Sequence, residues 1–358
     1  MFEISRVTRV ARRLTLGLAT LAVGGALACA GDSSTVALTG AGATFPYPVY
    51  SKWFDAFYTA TGNQVNYQSL GSGAGVKQFT EGTVDFGATD GPMTDEEIAA
   101  VPGGVHHIPT VIGADVVTWN LPSLGKTQLR FDAVTLADIF LGKIKKWNDP
   151  RLVALNPGVA LPDKDLLVVH RSDGSGTTYI WTDYLSTVSP EWASKVGRGK
   201  SVNWPTGLGG KGNEGVTQQV KQVEGTIGYV ELIYALANDL PYAAIKNKSG
   251  NFVSPTLESV SAAAAGVDLA ADTDFRVSIV DAAGADAYPV ASFTWLLIHP
   301  DFADADKAAA IKAFLTWATG PEAAAMASEL HYAPLPAPVL ELVKARLATL
   351  KGAGESLK

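Results

Sequence analysis

One loop of this chain collects the side chains that grip an oxyanion. Arg171 follows the apolar run Leu166–His170, and Arg171-Ser-Asp-Gly-Ser-Gly-Thr177 leads into a helical pattern at Thr178–Leu185. A guanidinium holds an oxyanion through two parallel N–H bonds. Asp173 can orient that guanidinium. Backbone N–H groups at a helix start stand unsatisfied at the positive end of its dipole, and Ser175, Gly176 and Thr177 occupy that start. The plain alternative is a structural Arg–Asp pair on a capped turn.

Three more features share this placement at the end of a predicted strand, where parallel α/β sheets present ligands. Thr44 and Phe45 precede a helix from Pro46, where Thr44 could equally be an ordinary N-cap. Ser72 sits in Gly71-Ser-Gly-Ala-Gly75, whose glycines allow close backbone approach. That loop lacks the spacing and the Lys-Ser/Thr pair of a nucleotide loop, and a simple glycine turn fits it as well. Asp90 ends Val84-Asp-Phe-Gly-Ala-Thr-Asp90. An ionised carboxylate only accepts hydrogen bonds, so it suits an anion that brings its own proton. Phosphate near neutral pH carries at least one proton and sulfate none. Facing sulfate, Asp90 would be buried opposite a lone pair, at several kcal/mol, on the order of a thousandfold in selectivity.

These loops need a sheet to hold them. Strand patterns at Val36–Leu38, Val65–Leu70 and Val84–Thr89 alternate with a helix bearing Val49, Trp53 and Phe57 on one face and a short helix from Val76. Gly62 stops the first helix. A second unit starts near Val111, with strands at Val116–Asn120, Leu166–His170 and Ile227–Val230 and a short helix at Leu136–Leu141. Residues 251–285 read as peripheral, with one Ala-rich helix. Phe293–Ile298 is an apolar strand, followed by helical patterns at Asp304–Thr319 and Val339–Leu350, and the chain is expected to return there to the first unit. The class is α/β with crossover helices, and two crossings suit a hinged, two-lobed protein.

Composition narrows the function. The 358 residues suggest about two domains, and 47% apolar with 18% charged residues supply a sizeable core. Residues 1–30 form a secretory signal, with Arg6, Arg9, Arg12 and Arg13 ahead of the apolar run Leu14–Ala28; an uncleaved anchor is the alternative. The single cysteine, Cys29, is either discarded on cleavage or lipidated at the new N-terminus, and the polar tether Gly31–Thr35 favours lipidation. The mature body then has no disulfide. The formal charge is −7, and losing four arginines and one glutamate with the signal leaves −10. That balance argues against nucleic acid or an anionic membrane as partner, and any anion must be held by local geometry.

Six strings, in order, carry a family resemblance: Leu38-Thr-Gly-Ala-Gly-Ala-Thr-Phe-Pro46, Val84–Asp90, Leu141-Gly-Lys-Ile-Lys-Lys-Trp147, Asp173-Gly-Ser-Gly-Thr177, Gly207-Leu-Gly-Gly-Lys-Gly212 and Ile227-Gly-Tyr-Val-Glu231. From about Val36 to near the C-terminus, the chain resembles the phosphate-binding receptors (PstS) of ABC phosphate importers. The resemblance implies a type II periplasmic-binding-protein fold, with a discontinuous first lobe (34–111 with 290–358), a second lobe (112–289) and a ligand cleft between them. It implies a non-enzymatic, monomeric receptor that binds dehydrated inorganic phosphate without metal or cofactor and delivers it to membrane permease and ATPase subunits. The family's phosphate-binding residues fall on Thr44, Phe45, Ser72, Asp90, Arg171, Ser175, Gly176 and Thr177, with Asp173 supporting the arginine. His170 departs from the family, where Arg is common, and is expected to face away from the ligand.

Two other readings compete. A receptor for another oxyanion, sulfate or molybdate, gains nothing from Asp90. An exported hydrolase or phosphatase would need chemistry that is missing: there is no Gly-x-Ser-x-Gly elbow, and His106, His107, His170, His299 and His331 show no metal spacing with carboxylates. His106-His107 reads as a solvated strand edge. Nothing in the sequence supports a third reading, a surface adhesin.

Overall fold

The computed structural model describes residues 35–357; the signal-peptide segment 1–30 and Cys29 lie outside the described residues. Ala37–Gly42 (β1), Gln64–Ser69 (β2) and Phe86–Thr89 (β3) run parallel, with β1 between the other two. Between β1 and β2, Tyr47–Thr61 (α1) buries Val49, Tyr50, Trp53, Phe54 and Phe57. Burying each such side chain contributes about 1.5–3 kcal/mol. The helix ends at Gly62, whose φ of 78° lets its N–H reach the Tyr58 carbonyl. Between β2 and β3 lies Ser72–Thr80 (α2).

The next strand, β4, runs from His106 to Trp119, much longer than the Val116–Asn120 read from the sequence. His106-His107 is therefore no solvated edge. Every residue of β4 after His106 is buried, because the strand lies in the middle of the sheet. His107 Nε2 accepts the Met93 N–H at 3.2 Å, and burial holds its pKa down at about 3.

Four more strands complete the main sheet: Leu167–Arg171 (β5), Leu208–Gly210 (β6), Thr226–Glu231 (β7) and Ala291–Ile298 (β8). The order is β2-β1-β3-β8-β4-β7-β5-β6. β4 serves both halves: His106–Ala114 pairs antiparallel with β8, and Asp115–Trp119 pairs antiparallel with β7. β8 also pairs with β3, so the chain does return to the first unit. The segment 251–285 carries the expected helix, at Leu257–Ala264, but it is not merely peripheral. Phe275 is buried, its carbonyl accepts the Trp295 indole N–H, and Arg276 donates to the Met93 carbonyl.

The core is rich in large aromatics. Trp53, Trp119, Trp147, Trp181, Trp192 and Trp295 are all fully buried. Among the described residues no helix is long and apolar enough to cross a membrane.

Candidate anion-binding site

The C-terminal ends of β1, β2, β3 and β5 converge. Thr44 and Phe45 follow β1 and lead into α1, Ser72 opens α2, Asp90 follows β3, and Arg171 ends β5. After Arg171, Gly176–Val188 (α3) begins with Ser175 as N-cap; the Ser175 Oγ accepts the Thr178 N–H at 3.0 Å. Ser72, Gly176 and Thr177 occupy the first positions of their helices, where backbone N–H groups have no intrahelical acceptor. All eight residues are buried.

Arg171 is held on three sides. Its Nε and Nη2 donate to the two oxygens of Asp173 at 2.8 and 2.6 Å, and its Nη1 donates to Thr177 Oγ1 at 3.1 Å. Its backbone N–H donates to the Tyr229 hydroxyl at 3.2 Å. Asp173 also accepts the N–H of Gly212 at 3.0 Å. Burial works against the Asp173 charge, but the hydrogen bonds and charge of Arg171 and the Gly212 N–H win and hold its pKa below the ordinary value.

Asp90 faces the donors from the other side. Thr294 Oγ1 donates to its Oδ1 at 2.7 Å, and Ser72 Oγ donates to its Oδ2 at 3.3 Å. Burial pushes its pKa up from 3.8 to about 7; the Thr294 hydroxyl, the Arg171 charge and the Ser72 hydroxyl limit the rise. This is the one carboxylate among the eight residues.

Two glycines make this convergence sterically possible. A Cβ on Gly176 would stand 2.4 Å from Asp90 Oδ2 and 2.5 Å from Ser72 Oγ. Gly71, at φ 99°, would place a Cβ 2.3 Å from Asp173 Oδ2. Both approaches are closer than any side chain tolerates, so the loops meet only through bare backbone.

Phe45 contributes backbone at this point. Its ring is fully buried, edge-on to Tyr332 at 6.3 Å, and its carbonyl accepts the Tyr332 hydroxyl at 2.6 Å. His170 turns to the other side of β5, where its ring stacks on Trp204 at 4.7 Å and its Nδ1 lies 2.9 Å from the Arg171 carbonyl oxygen.

Sequence reasoning missed four residues here. Asn213, in Gly212–Gln222 (α4), is fully buried and touches Thr44, Thr177 and the backbone of Glu231. Its only sequence signal was its place directly after a glycine-rich string. Thr294 is one of two buried hydroxyls, with Ser292, in an otherwise apolar strand. Asp115 and Glu231 stand opposite one another across β4 and β7, both fully buried. Both oxygens of Asp115 and Oε1 of Glu231 have no hydrogen-bond partner. Burial, with mutual repulsion adding at Asp115, raises both pKa values well above the carboxylate range.

Such an arrangement can donate several hydrogens to an oxyanion and accept one from it. Hydroxyl donors, helix-start N–H groups and a paired guanidinium surround one acceptor. Among the described residues no group of three or more His, Cys, Asp or Glu side chains could hold a metal ion.

Comparison with known proteins bears on the family and the fold. Residues 30–322 match the model of the PBP superfamily domain. The phosphate-binding protein PstS of Pasteurella multocida is 47% identical over 87% of this chain and 90% of its own length. That of Haemophilus influenzae is 45% identical over 87% of this chain and 92% of its own. A solved phosphate-binding protein from Stenotrophomonas maltophilia shares the fold, with a TM-score of 0.68 at 22% identity over 87% of this chain and 94% of that one.

Proposed function

Since the chain belongs to the PBP superfamily and, within it, to the PstS phosphate-binding proteins, we propose that it is an extracytoplasmic receptor that captures inorganic phosphate and passes it to an ABC importer. It is a non-catalytic, two-lobed α/β binding protein. Phosphate is held by Thr44, Phe45, Ser72, Asp90, Arg171, Ser175, Gly176 and Thr177, with Asp173 bracing the arginine. The observation that carries this reading is the buried Asp90 acceptor set among donors. Such a site rewards an oxyanion with one proton to give and penalises one with none.

The lobes are 34–111 with 290–358, and 112–289. β4 pairs with strands on both sides of this division, and bending there would open and close the cleft. The receptor acts as a monomer that docks on the membrane permease, whose ATPase subunits drive transport. It resides in the periplasm or at the outer face of the cell membrane, with Cys29 as the candidate site of lipid attachment.

The test is calorimetry of the mature protein against phosphate, arsenate, sulfate and molybdate. Tight phosphate binding with sulfate and molybdate at least a hundredfold weaker is expected. Equal or tighter binding of sulfate overturns the reading.

A further inference from the structure

A threonine hydroxyl has one hydrogen to give and two lone pairs to fill. At Thr44 both lone pairs are filled from Asn213: its backbone N–H donates to Oγ1 at 3.2 Å and its Nδ2 at 2.8 Å. At Thr177 both are filled as well, by Arg171 Nη1 at 3.1 Å and Asn213 Nδ2 at 3.0 Å. One amide group thus spends its two hydrogens on two hydroxyl oxygens that lie in different parts of the chain. The amide cannot turn over, because its Oδ1 accepts the Glu231 backbone N–H at 3.0 Å. A flip would set the NH2 against that N–H, donor against donor. The cluster is shielded from bulk solvent: Asn213 and Thr177 are fully buried and Thr44 is 2% exposed.

We propose that Asn213 is a positioning residue of the anion site, which makes Thr44 and Thr177 obligate hydrogen-bond donors. Each hydroxyl keeps only its own hydrogen to offer, and that hydrogen must go to the ligand. A ligand proton directed at either threonine finds no lone pair, so the proton of the bound anion is steered toward Asp90. The selectivity credited to Asp90 therefore depends on a side chain that never touches the anion. This inference rests on the phosphate-receptor reading.

The experiment is calorimetry with inorganic phosphate at pH 8 on the mature protein, with Asn213→Ala made in two backgrounds. In the wild-type background, Asn213→Ala frees the hydroxyls to point elsewhere, and an affinity loss of about tenfold is expected. In a Thr44→Val/Thr177→Val background, itself weakened, the same substitution is expected to cost less than twofold, because no hydroxyl remains to orient. Asn213→Asp replaces the donor with an acceptor that draws both hydroxyls away, and a loss of a hundredfold or more is expected. Its residual effect in the double-valine background measures the added charge alone. Thermal unfolding of each variant checks the fold, and Asn213→Ser replaces any variant that does not fold. Equal losses from Asn213→Ala in both backgrounds would mean that the residue only packs, and would overturn the proposal. Phosphate binding by the wild type with no effect of any Asn213 variant overturns this inference alone. Failure of the wild type to bind phosphate overturns the receptor reading and this inference with it.

Discussion

Replacing Asp90 by Asn keeps the shape of the side chain and exchanges an acceptor for a group that can also donate. For monohydrogen phosphate the change is modest. The charge-assisted bond from the P–OH, about 1.5–3 kcal/mol, becomes an ordinary one of about 1, so about 1 kcal/mol is lost. For sulfate the change runs the other way. The wild-type carboxylate opposes a sulfate oxygen with no hydrogen between them; at pH 8 sulfate escapes that contact only by taking Asp90 protonated, which costs about 1.4 kcal/mol for a pKa of about 7, whereas the amide can donate to that oxygen at no such cost. Together the selectivity for phosphate over sulfate at pH 8 falls by about 2.4 kcal/mol, roughly 50-fold. The pH dependence provides an independent arm. Burial pushes the Asp90 pKa up to about 7, and only its protonated form can donate to sulfate. The competent fraction falls about tenfold between pH 6 and pH 8, and the apparent sulfate affinity of the wild type falls with it. Asp90→Asn has no such titration, and its sulfate affinity stays flat. Competition titrations of both proteins at pH 6 and pH 8 check both arms. An unchanged phosphate-to-sulfate ratio in Asp90→Asn, or a wild-type sulfate affinity that ignores pH, refutes the role given to Asp90.

Arg171→Ala weakens phosphate binding at least tenfold, about 1.4 kcal/mol, since it also leaves Asp173 unpaired near the anion; calorimetry near wild-type affinity removes Arg171 from the site. Gly176→Ala is a tighter steric test. Its Cβ would stand 2.4 Å from Asp90 Oδ2, so at least a hundredfold loss is expected with helical circular dichroism preserved, and a loss under threefold refutes the close approach. Asp115→Asn probes the buried carboxyl pair. A carboxyl raised in the folded state binds its proton more tightly than in the unfolded chain, so it destabilises as pH rises through the unfolded value near 4 toward the folded one. Asp115→Asn should therefore raise the thermal midpoint by several degrees at pH 8 and leave it near wild type at pH 4; a gain that is the same at both pH values contradicts a raised Asp115.

What could be read in the sequence was whatever local chemistry dictates. Gly-rich loops after short apolar runs mark strand ends, and a helix must start where Pro46 or Ser175 follows them. The eight ligand candidates and Asp173 belong to such loops. What could not be read depends on neighbours distant in the chain. Asn213 acts through Thr44, 169 residues away, and Thr294 through Asp90, 204 residues away. Thr294 was one of two hydroxyls, with Ser292, in an otherwise apolar strand, and Asp115 the lone carboxylate in Val111–Trp119. Each was a visible irregularity, since a polar group in a buried strand needs a partner or a proton. The histidine pair misled for the converse reason. Two adjacent imidazoles read as polar, but β4 extends through the middle of the sheet, and there the neutral ring of His107 serves as an acceptor.

The chain has a formal charge of −7, and the site does little to reverse it. Arg171 is matched by Asp173 through two short hydrogen bonds, and an ionised Asp90 adds a second negative charge. A free arginine would attract monohydrogen phosphate and sulfate alike, since both are dianions, and every increment of that attraction would dilute discrimination. Pairing the arginine leaves its unspent Nη hydrogens directional while cancelling its long-range field. Recognition then rests on which atoms give hydrogens and which receive them. Thr44 and Thr177, with their lone pairs filled by Asn213 and Arg171, can only give, and Asp90 above its pKa can only receive. Phosphate and sulfate differ at one hydrogen, and a site whose hydroxyls are fixed in one polarity is the kind that can distinguish them.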